Sequence, residues 1–131
     1  MSKLGDIRAE IAHVYRDAFQ EFTAYDHVPG SADLPAVWVD TAERIDYQMS
    51  MGATIQVRQV ITFAVSRADE EEAQKVLDDV LDPRGPLRSI ERHKTTGIWQ
   101  QVAVDQAGKP YPLDVGETTA LAVDVLLDIL A

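Results

Sequence analysis

From Thr54 the side chains fall into strict alternation: Ile55, Val57, Ile61, Phe63 and Val65 occupy every second position, and Gln59 is the one polar interruption. A two-residue period places successive side chains on opposite faces of an extended chain, so this stretch is committed to a sheet. It is long enough for one arm of a hairpin or for a strand bent by a bulge. Three other stretches read the same way. Ala36-Val37-Trp38-Val39 is a short β-branched and aromatic run, and Ile98 to Val104 reads as a strand. At the far end Leu121, Val123, Val125, Leu127 and Ile129 alternate without a break, with Asp124 and Asp128 on the outer face. A helix would instead group Ala122, Val125, Leu126, Ile129 and Leu130 on one side. The strand is favoured, because the helix leaves Val123 and Leu127 stranded.

Two segments carry the helical period. Leu4, Ile7, Ile11, Val14, Tyr15, Ala18 and Phe22 recur on one side, with Asp6, Glu10, His13, Asp17 and Glu21 opposite. Ser2 is the expected N-cap, and the helix is expected to end near Tyr25-Asp26-His27, ahead of Val28-Pro29-Gly30. Asp69 caps a second helix whose first turn, Glu70-Glu71-Glu72, complements the positive end of the helix dipole. Ala73, Val76, Leu77, Val80 and Leu81 form its apolar stripe, and Asp82-Pro83 closes it. Arg84-Gly85-Pro86 is a turn before a short helix at Leu87-Arg88-Ser89-Ile90, and Gln106 to Pro110 is a further turn. Thr41 to Gly52 is less regular and is expected to be a loop. Helices set between runs of strands predict an α+β fold, a mostly antiparallel or mixed sheet with helices packed on one face. At 131 residues this is one domain, spanning 1–131.

Several kinds of chemistry are excluded or unsupported. There is no cysteine, hence no disulfide and no thiolate chemistry. The sequence has no Gly-rich phosphate loop, no H-E-x-x-H, no nucleophile elbow and no calcium loop, and no cofactor or metal is expected. His13, His27 and His93 are far apart in sequence, and Asp26-His27 reads as a polar helix end in preference to half of an acid/base pair. The three consecutive glutamates point in different directions and cannot converge on one ion. A formal net charge of -10 disfavours gripping a phosphate backbone, while leaving room for a wall along which DNA slides. The N-terminal residues lack a signal-peptide pattern, and the apolar stretch from Ala120 to Ala131 is broken by two aspartates and too short to span a bilayer. A cytoplasm-like setting without membrane contact is therefore expected.

Trp38 and Trp99 are expected in the core. Tyr47, Met49 and Met51 form the candidate interaction site, either an adaptable contact surface or side chains packed under the loop. Arg88, Arg92, His93 and Lys94 make the one basic cluster, a solvated face or a docking point for an acidic neighbour.

Taken in order, these features resemble the tail terminator proteins of long-tailed bacteriophages, also called minor tail protein U-like or tail completion proteins. The resemblance runs through a leading helix, Tyr25-Asp26-His27-Val28-Pro29, and Leu34-Pro35-Ala36-Val37-Trp38-Val39. It continues in Val65-Ser66-Arg67-Ala68-Asp69 entering a helix with Ala73-Gln74-Lys75-Val76-Leu77, then Leu81-Asp82-Pro83-Arg84-Gly85-Pro86-Leu87-Arg88-Ser89-Ile90-Glu91, and closes on an apolar strand. The resemblance implies a sheet flanked by helices and a homo-hexameric ring at the neck end of the virion tail, put together in the host cytoplasm. Its partners would be the tail tube protein and the head-tail connector protein, with DNA enclosed and not specifically bound. It carries no catalytic residue onto this chain. The rivals are a head-closure or other neck subunit, a small enzyme using Asp26, His27 or His93, and a ligand-binding domain.

Overall fold

The computed structural model describes residues 2–47, 54–95 and 97–131. Helix α1 spans Lys3–Ala18, and the Ser2 side chain accepts a hydrogen bond from the Gly5 amide as its N-cap. Strand β1 is Thr23–Tyr25, β2 Ala36–Tyr47 and β3 Ile55–Ser66. Helix α2 is Glu70–Leu81, with the Asp69 side chain accepting from the Glu72 amide. A 3₁₀ helix follows at Pro86–Arg92, then β4 at Gln101–Ala107, β5 at Tyr111–Val115 and β6 at Thr118–Leu130. The α+β expectation holds: among the described residues six strands form one mixed sheet in the order β1-β2-β3-β6-β4, and β5 also pairs with β6. β1 lies parallel to β2, and the remaining pairs are antiparallel.

The centre of the sheet is β3 against β6, in register from Gln56↔Leu130 to Ser66↔Ala120. The C-terminal apolar run is thus a strand, as its alternation requires. Odd-numbered residues of both strands face α1, α2 and the 3₁₀ helix; Val57, Ile61, Phe63, Val123, Val125, Leu127 and Ile129 are fully buried there. Gln59 interrupts this face for a structural reason. β2 bulges between Val39 and Ala42, and the Gln59 amide donates to the Asp40 carbonyl that the bulge turns inward. β5 and β6 join through Gly116-Glu117, where Gly116 has φ +63°, a conformation that disfavours side chains with a Cβ.

Three boundaries differ from expectation. α1 ends at Ala18, about two turns before Tyr25. The chain leaves the helix so that Phe19 and Phe22 close on Phe63, with ring centroids 5.2 and 5.8 Å away, and Thr23–Tyr25 joins the sheet. Burial of three aromatic rings outweighs the remaining helical hydrogen bonds. Thr41 to Tyr47, expected as loop, is the second half of β2. A second bulge between Ala42 and Arg44 places Ala42 and Ile45 toward the core, so the apolar spacing is three instead of two. The fourth strand lies three residues later than Ile98 to Val104, and its end at Ala107 takes in the start of the Gln106 to Pro110 turn. Before it, the Thr95 hydroxyl bonds both the amide and the carbonyl of Trp99 and holds the chain in a turn.

Phe63→Ala removes the ring on which Tyr15, Phe19 and Phe22 converge and should cost about 3–5 kcal/mol in urea unfolding. Asp69→Ala removes only a cap and should cost about 1 kcal/mol. Equal effects would contradict the placement of the core.

Candidate assembly surface

The sheet's second face is built from the even-numbered residues of β3 and β6, and it divides into two halves. Over one half the connection 26–35 lies as a cover, with Ala32 and Leu34 packed on Ala36, Trp38, Ala64, Ala120 and Ala122. Trp38 is 3% exposed, as expected of a core residue, and Trp99 is buried in the main core with its ring 6.0 Å from that of His93. On the same face Asp124 accepts hydrogen bonds from the Thr62 hydroxyl and the Tyr111 hydroxyl, each at 2.8 Å. Burial, and then the bond to Asp124, hold the Tyr111 phenol protonated well above its ordinary range. The Tyr15 phenol is raised by burial and by the Glu91 carboxylate; it donates to the Leu87 carbonyl at 3.0 Å.

The other half of this face has no such cover among the described residues. There β3 and β6 set Arg58 opposite Asp128 and Val60 opposite Leu126. The Arg58 guanidinium lies 2.5 Å from Asp105 on β4, 3.6 Å from Asp128 and 3.9 Å from Glu43 on β2. Beside it Arg44 pairs with Asp46 at 3.0 Å. Two arginines facing Glu43, Asp46, Asp105 and Asp128 leave the surface net negative. Its apolar content is small: Val60, Leu126 and Leu130 are half-buried. Along its margin β1 covers only Ala36, Val37 and Trp38 of β2, so the outer edge of β2 from Thr41 to Tyr47 has no strand beside it among the described residues. The opposite sheet edge is guarded: the Glu91 carboxylate accepts from the Val104 amide at 2.9 Å and blocks strand addition at that position.

Of the sequence-derived site residues, Tyr47 ends β2 at the open margin and is 75% exposed, which favours contact surface over packing under a loop. Met49 and Met51 lie outside the described residues. The histidines stay apart, each with one acid: His93 with Glu10 at 2.7 Å, His27 with Asp26 at 2.7 Å, and His13 with Asp17 at 3.8 Å. The hydrogen bond from His27 holds the Asp26 carboxyl below the usual carboxylate range. Among the described residues no three His, Asp or Glu side chains are placed to hold a metal ion. The Arg58 cluster was not read from the sequence. Its members come from four strands, and the only signal was that Asp128 falls on the outer side of an alternating run.

No protein-family model matches this chain, and a search of curated proteins finds no significant match. No helix among the described residues is long and apolar enough to cross a membrane.

Arg58→Met leaves three carboxylates facing one another. It should cost about 1 kcal/mol at low ionic strength, and the loss should shrink in concentrated salt as the charges are screened. A loss independent of salt would contradict the electrostatic account. Tyr15 and Tyr111 ionise less readily folded than unfolded. Their contribution to stability is therefore complete below about pH 10 and is lost as pH rises above it. Urea midpoints should fall on that alkaline limb, and less steeply in Tyr111→Phe.

Proposed function

We propose that this chain is a structural subunit of a bacteriophage tail, forming a ring that caps the tail tube, stops its polymerisation and presents a docking surface to the head connector. The observation that carries this reading is the uncovered, net acidic half of the sheet, ending at the exposed Tyr47 beside an open strand edge. A surface of ion pairs with a few half-buried aliphatic side chains suits contact with protein partners better than enclosure of a small molecule. Its negative charge suits a wall past which DNA moves, since no counterion release rewards binding there. The α+β fold is compatible with the expectation drawn from the family resemblance. The work is binding without turnover: a closed ring leaves no further heterologous edge, so growth ends where it binds.

The test is negative-stain microscopy of the chain with tail tubes from the same source. Six-fold rings, or caps at tube ends that stop elongation, support the reading. A monomer that never engages tubes overturns it, and binding to connectors but not to tubes assigns the chain to head closure. Tyr47→Asp, Met49→Asp and Met51→Asp together should leave the circular dichroism spectrum unchanged and abolish capping.

A further inference from the structure

Where the first turns of α2 lie against the end of β3, a groove of about 310 Å³ opens to the surface. Phe22, Val65, Ala73 and Val76 give it an apolar floor, and Glu21 and Glu72 stand among its lining residues. Neither glutamate has a cationic partner among the described residues, whereas the neighbouring Glu70 is held by Arg67 at 2.7 Å. The groove thus offers apolar contact beside Glu21 and Glu72, with Asp69, the N-cap of α2, as a third carboxylate in its lining. An occupant that fits it carries cationic groups on apolar stems, as arginine and lysine do.

The chain has one such segment. In a protein of net charge -10, the basic residues cluster in and just after the 3₁₀ helix. Arg88 there is engaged by Glu91 at 2.8 Å, while Arg92 and Lys94 are exposed without an acidic partner among the described residues. The groove lies at the N-terminal end of α2, and the basic segment begins shortly beyond its C-terminal end. Within one copy neither glutamate forms an ion pair with Arg92 or Lys94 among the described residues.

We propose that this groove receives the 3₁₀ segment of a second copy of the chain, Arg92 and Lys94 neutralising Glu21 and Glu72. Because the two patches are different surfaces, the contact is head-to-tail and can repeat around a ring. It supplies the subunit-to-subunit contact of the ring proposed above and rests on that reading for closure; the pairing itself does not involve the tube.

Charge exchange tests it. Sedimentation velocity of the wild-type chain should show concentration-dependent association that weakens with salt. Glu21→Lys/Glu72→Lys should abolish association, as should Arg92→Glu/Lys94→Glu, each with an unchanged melting profile. An equimolar mixture of the two variants restores complementary contacts and should associate again. Asp33→Lys/Glu117→Lys, equal in charge change but among the lining residues of neither patch, should associate at least as well as wild type. A wild-type chain that stays monomeric, variants that associate normally, a mixture that stays monomeric, or equal loss in this control each overturns the proposal. Tube capping that survives both charge reversals would sink this contact and leave the function standing. Restored pairing without tube capping would do the reverse.

Discussion

The pairing of β3 with β6 is the constraint on which the rest of the molecule depends. The two strands run in register over their whole shared length without a bulge; β2 is added to β3, β4 and β5 to β6, and β1 joins through β2. Side chains at odd positions of both strands make one buried face, apolar except for Gln59, which α1, α2 and the 3₁₀ helix cover. A one-residue slip would exchange that face for Arg58, Thr62, Asp124 and Asp128, so burial fixes the register.

The same alternation dictates the character of the second face. Residues not called on for the main core are free to be polar, and the chain treats the two ends of that face differently. At one end the 26–35 connection covers alanines and Trp38. At the other, Arg58 gathers carboxylates from β2, β4 and β6, leaving an open surface whose ions are largely satisfied within the chain. Such a surface resists indiscriminate association while remaining available to a complementary one. With the guarded β4 edge and the open β2 margin, it gives the molecule distinguishable sides.

What the sequence made legible was local. Ser2 and Asp69 as caps, the end of α2 at Asp82-Pro83 and the terminal strand all follow from periodicity and nearest neighbours, and the structure agrees with each. The discrepancies arise from non-local forces. α1 stops early because Phe63, more than forty residues on, draws in Phe19 and Phe22. The second half of β2 looked irregular because a bulge breaks its alternation and because its outward face is meant for no core. Of the candidate site, Tyr47 was found by its character in a polar stretch. The Arg58 cluster was hidden because its acids lie up to seventy residues from it.

The most direct test of the uncovered half-sheet as the assembly surface is backbone hydrogen exchange, measured on the chain alone and on the chain bound to tail-tube ends. The account predicts slower exchange from Thr41 to Tyr47, along the open margin of β2, with α1 unchanged. Binding that leaves exchange in Thr41 to Tyr47 as it is in the free chain would contradict it.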